Sequence, residues 1–487
     1  MRVSYLAYTF SLAMMYLSIV LFLPVIVALI YGEMSSILPF LYVSIGTLLG
    51  GFCLRKFVKG VNEIKSINDI KKSEALFTVT FCWIIAGVLG AIPYVLHGFN
   101  PINAFFESTA GITATGGTIL TNYNYPHALM FWRSFSQWLG GMGIIVLFIA
   151  VLPQFAIAGR QLFFAEAPFP EEDKFTPRIK STASSLWKLY FGLTVLEIIL
   201  LCIAGEDVFV AICNSFSSVS GGGFSPNSNS LLGATNPILW IVCFFMFCAG
   251  ASYSLQYKAI TRFNPLVLFK NEEFRTYLFI ALILATLLSV SLFANSHYDI
   301  LKSITHSFFQ VSSVMSTTCL SSDNFASWDY TSKALLFVGI LAGSCASSAG
   351  GGVKIMRWIL LFKLMKSEFV KILHPKAVYN VKVNNYTVSK DILFQILMFV
   401  SFYILIMVVT GFVVSILEGN TVIGITGSIS TIGNIGPTLC NLTGPLGSYD
   451  SLCDLSKLIL SANMYIGRLE LIPFLVLFQK EIWNFKA

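Results

Sequence analysis

Charge is what this chain lacks. Of 487 residues, 11% are Asp, Glu, Lys or Arg and 56% are apolar, against about 25% charged in a soluble domain. That scarcity excludes a soluble globular domain. Histidine is also scarce, with five in all. The ten cysteines include no CxxC pair and the chain has no HExxH, so a zinc site or dithiol redox centre lacks its donors. The apolar stretches carry almost no His, Asp or Glu, and His97, His297, His306 and His374 scatter over loops and span ends. Membrane-enzyme chemistry, which needs acid, base or metal groups converging at one depth, is therefore disfavoured. No nucleotide fingerprint is present either, since Gly352-Val353-Lys354-Ile355 lacks the Gly-Lys-Ser/Thr of a Walker A loop. Neither an organic cofactor nor a nucleic-acid partner is expected. Cys53, Cys82, Cys202, Cys243 and Cys248 lie in apolar runs and read as small buried hydrophobes. Cys440 and Cys453 share one outer loop, which leaves a disulfide open.

What is present is apolar sequence enough for about ten spans of about 20 residues, and a patterned placement of the few charges. The run from Ala7 to Tyr31 follows Arg2 and is expected to remain as a span, because no convincing small-residue cleavage site follows it. A second span covers about Ile37 to Leu54. Arg55, Lys56, Lys59, Lys65, Lys71 and Lys72 then form a basic loop, which the positive-inside rule assigns to the cytoplasm together with the amino terminus. From His97 to Pro126 there is no Lys or Arg; Arg160, Lys174, Arg178 and Lys180 mark the return inside. Gly205 to Gly233 again has none, followed by Lys258, Arg262, Lys270 and Arg275. Lys302 stands alone between Asn295 and Thr331, and Lys354 to Lys390 is strongly basic. Glu418 to Ser456 has none, and Lys480 and Lys486 close the chain inside. The basic segment from Lys363 to Lys390 fits a docking surface or topology alone, and both remain open.

Each outward stretch carries a run of Ser, Thr and Gly: FFESTAGITATGG (Phe105 to Gly117), NSFSSVSGGGFSP (Asn214 to Pro226), SFFQVSSVMSTTCLSSDNF (Ser307 to Phe325) and TGSISTIGNIGPT (Thr426 to Thr438). A period of roughly a hundred residues is too long for a solenoid and suits a repeated membrane unit. The segments leading into the runs, 103–112, 208–218, 303–314 and 421–430, are too short to span and are expected as half-membrane helices. Their carboxyl ends would point partial negative charge at a common centre. Four units of span, re-entrant segment and span, all in one orientation, can surround one axis with pseudo-fourfold symmetry. A coupled secondary transporter would instead be built from inverted halves. A cation leaving water needs replacement oxygens, and rings of backbone carbonyls supply them without burying carboxylates. Thr115-Gly116, Gly221-Gly222, Thr318-Cys319 and Ile435-Gly436 stand at matching places for such rings.

In this order, ITATGG, SSVSGGGFSP, MSTTCLSSDNFASW and NIGP, with GSCASSAGGGVK and GRLE, resemble the TrkH branch of the Trk/Ktr/HKT superfamily of potassium transporters. The resemblance covers some 460 residues. It implies an all-α polytopic membrane protein, with two extra N-terminal helices ahead of four parallel M1-P-M2 repeats in pseudo-fourfold symmetry around one ion pore. It implies potassium as the transported ion, filter glycines at Gly116, Gly222 and Gly436, and a departure at Cys319, where glycine is expected. The filter windows are Thr113, Ala114, Thr115 and Gly116; Val219, Ser220, Gly221 and Gly222; Ser316, Thr317, Thr318 and Cys319; and Gly433, Asn434, Ile435 and Gly436. It further implies a homodimer with one pore per subunit, a bacterial inner membrane location with both termini cytoplasmic, and a TrkA-like cytoplasmic ring whose RCK domains bind NAD or ATP. The expected division is 1–72 for the N-terminal pair and its basic loop, then 73–180, 181–270, 271–375 and 376–487 for the repeats.

Two exceptions stand inside the membrane. Between apolar segments at Ala334 to Ala342 and Val353 to Phe362 lies Gly343, Ser344, Cys345, Ala346, Ser347, Ser348, Ala349, Gly350, Gly351 and Gly352, the sequence form of a broken helix lining a cavity. The resemblance makes this a flexible gate beneath the filter. Arg468 falls near the middle of a last span expected over about Leu458 to Phe478, where a charge costs about 2.5 to 3.5 kcal/mol to insert. Pairing with Glu197 and facing the inner pore are both open from the residues, and the resemblance implies the second. Glu470 lies off the same face and is not its obvious partner. Glu107, Asp207, Asp323 and Asp329 are placed to concentrate cations at the outer mouth or to be solvated loop charges. The function expected is potassium uptake through a gated carbonyl filter, the alternative a weakly selective Na+/K+ or proton-coupled cation symporter.

Overall fold

The computed structural model describes residues 3–57, 72–150, 175–295, 298–376, 380–384 and 386–471. The basic stretches at 58–71 and 151–174 and the C-terminal residues 472–487 lie outside these, and so do the topology expectations resting on them.

Helices α1 (Val3–Tyr31) and α2 (Met34–Phe57) form a hairpin that packs on α3 (Lys72–Leu96) and α5 (His127–Ala150). The tip of the hairpin is fastened by Glu33, whose carboxylate accepts hydrogen bonds from the His127 and Ala128 amides at 2.6 and 3.1 Å, at the positive end of α5. Four similar units follow. In each, a long apolar helix leads into a short one: α3 into α4 (Pro101–Ile112), α6 (Phe175–Ile203) into α7 (Val208–Ser220), α11 (Glu272–Asn295) into α12 (Ile300–Met315), and α15 (Lys390–Glu418) into α16 (Thr421–Ile432). Each short helix packs against the long helix before it.

Polar residues start the short helices. Asn100, Asp207 and Asn420 each accept backbone N–H groups at the amino end, supplying the bonds that the first turn cannot make internally. The third begins at Asp299 and is about a turn longer than the first, 16 residues against 12. The long helices are apolar over most of their length. Among the described residues six are long and apolar enough to cross a membrane.

The helices that close the units differ. In the first unit α5 is continuous. In the second, α8 (Asn236–Gly250) and α9 (Tyr253–Thr261) meet at a bend of 105°, a break not expected from sequence. In the third, α13 (Tyr330–Ala342) stops at Gly343 and α14 (Ile355–Leu373) resumes beyond the Gly/Ser loop. A short helix α10 (Leu266–Lys270) and a hairpin of β1 (Lys382–Val383) with β2 (Tyr386–Thr387) lie in the basic connections. In the fourth, α17 (Asp454–Arg468) ends at Arg468, and Glu470 and Leu471 turn away with φ near +60°. Arg468 is thus the last residue of a helix, and the second half of the span expected over about Leu458 to Phe478 lies outside the described residues. All ten cysteines are free thiols, so the open Cys440–Cys453 pairing is not formed.

Candidate ion pathway

Four loops leave the short helices in one conformation. Thr115 N, Gly222 N, Thr318 N and Ile435 N each donate five residues back, to Ala110 O, Ser217 O, Ser313 O and Ser430 O, at 2.8, 2.8, 2.9 and 2.8 Å. The preceding residue is left-handed in every copy: Ala114 (φ 49°), Gly221 (69°), Thr317 (59°) and Asn434 (53°). So is the following one: Gly116 (78°), Gly223 (81°), Cys319 (69°) and Gly436 (93°). Non-glycine residues pay roughly 1 to 2 kcal/mol each for this conformation. Side-chain bonds offset it in two copies. Thr317 Oγ1 accepts from Gly351 N at 2.7 Å, and Asn434 Nδ2 donates to Thr115 Oγ1 and Met464 O at 2.9 Å.

This equivalence corrects the second window. The residue matching Gly116, Cys319 and Gly436 is Gly223, not Gly222, and the window is Ser220 to Gly223. Val219 belongs to α7, with its carbonyl taken by the Tyr253 hydroxyl at 2.9 Å. Three consecutive glycines satisfy the spacing in any register, so only the hydrogen bonds distinguish them.

The fourth position is where the copies meet. A Cβ on Gly116 would fall on the Gly222 carbonyl, one on Gly223 on the Thr318 carbonyl, and one on Gly436 on the Thr115 carbonyl. The copies therefore follow one another around an axis, with the first opposite the third. Cys319 carries a side chain at this position. Its Sγ lies 3.8 Å from Thr115 O, across the axis, and 3.6 Å from Thr317 O. It also lines the outer cavity with Gly116, Gly223, Pro437 and Tyr449. Buried side chains hold the carbonyls from behind: Gln137 Nε2 donates to Gly222 O at 2.7 Å, and the Tyr449 hydroxyl to Gly436 O at 2.6 Å.

The Gly343 to Gly352 loop lies directly beneath. Cβ atoms built on Gly350 and Gly351 would approach Ser316 O and Gly433 O, and one on Gly221 would lie 3.6 Å from Gly350 Cα. Its backbone is extensively hydrogen-bonded to distant elements. Cys345 N and Ala349 N donate to Gly250 O and Ala249 O at 2.9 and 3.2 Å, carbonyls released by the bend between α8 and α9. Ser347 O accepts from Tyr253 N at 3.1 Å, and Ala346 N donates to Glu273 at 2.7 Å. Ser344 and Ser348 share a hydroxyl bond, and Lys354 Nζ donates to both and to Gly350 O. Arg468 Nη1 donates to Ala349 O at 2.8 Å and Nη2 to Gly140 O at 3.1 Å, joining the loop to α5. Glu197 is not its partner and instead meets the Ser218 hydroxyl at 2.6 Å. Glu470 pairs with Arg357 at 2.5 Å.

The mouth carboxylates have structural partners. Asp207 and Asp329 cap α7 and α13. Asp323 accepts from the Tyr298 hydroxyl and Trp328 Nε1 at 2.6 and 2.9 Å. Glu107 is fully buried against Arg133 at 2.8 Å. Among the described residues no three His, Cys, Asp or Glu side chains group as metal ligands. Sequence reasoning missed Gln137, Tyr449, Arg133 and the α8–α9 bend. The signals available were a polar and a charged residue inside an apolar helix for Gln137 and Arg133, and Gly250-Ala-Ser at an apolar run's end for the bend; Tyr449, in the loop before α17, carried none.

A multi-pass membrane protein with four half-length helices converging on one axis, and a packed loop across its inner end, is the class these features define. The chain belongs to the TrkH family of cation transport proteins, whose family model matches residues 49–484. It is 35% identical over 427 residues, 86% of this chain and 88% of the relative, to the Trk system potassium uptake protein TrkH of Escherichia coli K12. The Salmonella typhimurium protein of the same description is 34% identical over 473 residues, 95% of each chain. The crystal structure of the potassium transporter TrkH from Vibrio parahaemolyticus superposes with a TM-score of 0.90 at 27% identity, covering 99% of this chain and 100% of that one.

Proposed function

We propose that the chain is the ion-conducting subunit of a Trk-type potassium uptake system, passing K+ inward through carbonyls of the four loops. The observation that carries this is the shared conformation of the loops around one axis, with short-helix carboxyl ends aimed at it. Relatives described as potassium uptake proteins support potassium as cargo. The filter residues are Thr113 to Gly116, Ser220 to Gly223, Ser316 to Cys319 and Gly433 to Gly436. The loop from Gly343 to Gly352, latched by Arg468, is the gate.

The chain divides into an N-terminal pair and four repeats, the second opening with α6 at Phe175, ahead of the boundary at 180 expected from sequence. It resides in a bacterial inner membrane with both termini cytoplasmic, acts as a homodimer, and takes its gating signal from a cytoplasmic ring that binds NAD or ATP. The basic connections, including Lys363 beside Glu272, are the face offered to that ring. A weakly selective Na+/K+ pathway or a proton-coupled symporter is the second reading, favoured by the Cys319 side chain at the axis.

The test is cation uptake by purified protein in liposomes, comparing K+, Rb+, Cs+, Na+ and Li+. Uptake favouring K+ and Rb+ is expected. Equal Na+ uptake would move the assignment to the second reading, and no uptake even with the Gly343 to Gly352 loop deleted would sink both.

A further inference from the structure

Counting back about two turns from the left-handed residue of each loop reaches Glu107, Asn214, Gln310 and Gly427, one equivalent position on each short helix. The four quadrants are furnished differently there. The side-chain amides of Asn214 and Gln310 are buried without a protein partner, and Gly427 has no side chain. Glu107, by contrast, is 0% exposed and saturated. Its carboxylate accepts from the Thr118 hydroxyl at 3.0 and 3.1 Å, from Ile119 N at 2.8 Å and from Arg133 Nε at 2.8 Å.

Arg133 extends the tie to the next quadrant. Its Nη2 donates to Thr118 Oγ1 at 3.1 Å and its Nη1 to Ser225 O at 3.2 Å. Thr118 and Ser225 stand two residues beyond Gly116 and Gly223, at the same level in the first and second copies. The guanidinium plane rests 4.2 Å from the Phe224 ring centre, and Arg133 forms part of the wall of the outer cavity. One fork-shaped cation thus fixes the spacing of two adjacent strands just outside the filter. Glu107 supplies the countercharge that keeps this cation from opposing ions at the mouth.

We propose that Glu107 and Arg133 are positioning residues for ion selection, bracing the outer end of the first two quadrants through a buried charged pair, where the other two use neutral hydrogen bonds such as Ser313 Oγ to Leu320 O and the Tyr449 hydroxyl to Gly436 O. This rests on the reading of the four loops as a potassium filter. Removing one partner of a buried pair is strongly destabilising, whereas replacing both with neutral residues is often tolerated. The informative variant is therefore E107Q/R133M, which removes both charges and the tie together, beside R133K, which keeps the charge but loses the fork.

The measurement is Rb+ and Na+ uptake in liposomes by parent, E107Q/R133M, R133K and Gly427→Ala, each checked for folded protein by size-exclusion profile. The double variant is expected to keep total uptake while its Rb+ over Na+ ratio falls about tenfold, equivalent to about 1.4 kcal/mol of differential ion binding. R133K is expected to keep total uptake with a smaller fall. Gly427→Ala, where the added methyl meets nothing closer than 3.9 Å, is expected to keep the parent ratio. A parent without Rb+ preference would fail the filter reading itself. A selective parent with an unchanged ratio in the double variant, or an equal loss in Gly427→Ala, would overturn the positioning role.

Discussion

Cys319 is the one residue at the fourth loop position that is not glycine. At the equivalent place the other copies have glycine, because a Cβ there points at the neighbouring copy's carbonyl. Cys319 takes the same left-handed backbone at φ 69° and carries its thiol over the axis toward Thr115 O. Cys319→Gly is expected to raise the Rb+ over Na+ uptake ratio in liposomes, and an unchanged ratio would remove any role for the thiol. Gly223→Ala should act the other way, since its methyl would fall on the Thr318 carbonyl, and a large loss of Rb+ uptake is expected. Parental uptake in that variant would return the second window to the register ending at Gly222. The departure at Cys319 was legible in the sequence because the flanking Thr-Thr and Leu-Ser-Ser leave one register. The Gly221 to Gly223 run was not legible, because identical residues carry no register.

At the level of elements, the decisive feature is that the closing helices of the second and third units break and the fourth ends beside them. The break between α8 and α9 frees Ala249 and Gly250 carbonyls, and the Gly343 to Gly352 loop takes them up. Arg468 at the end of α17 holds the loop to α5 through Ala349 O and Gly140 O. On the gating reading proposed above, losing these two charged hydrogen bonds weakens the closed arrangement by about 2 kcal/mol net, an increase in open population of up to about thirtyfold. Arg468→Ala is therefore expected to raise Rb+ flux in liposomes with no partner added. Flux at or below the parent level would sink the latch. The loop was visible in sequence as a Gly/Ser run between two apolar half-segments. Its hydrogen bonding was not, because the partners come from α8, α11 and α17, remote in the chain.

For the whole molecule, the tip of the N-terminal hairpin is joined to the repeats by polar contacts of Ser36 with the His97 ring at 3.1 Å and of Glu33 with the start of α5. Burial tends to raise the Glu33 carboxyl, but the His127 and Ala128 amides and the His127 ring outweigh it and hold its pKa below the usual value. A carboxylate held lower in the folded state stabilises above its unfolded value, about pH 4.3, and that stabilisation is lost as pH falls through the folded value. Glu33→Gln is expected to cost about 1 kcal/mol at pH 7, seen as a lower thermal midpoint in detergent. The gap to parent should close as pH falls to about 4 and below; a gap independent of pH would show that charge at Glu33 is immaterial.

The sequence by itself determined the membrane class, the four polar runs, the short helices leading into them and the broken helix of the third unit. These follow from local quantities: apolar length, the distribution of Lys and Arg, and the small residues that unusual backbone demands. The tertiary structure alone decided the register of the second copy, the bend between α8 and α9, the bonding that packs the Gly343 to Gly352 loop, and the burial of Glu107 against Arg133. Each depends on a hydrogen-bond partner or a close backbone approach from a distant unit, and no local pattern of residues encodes which distant group will be there.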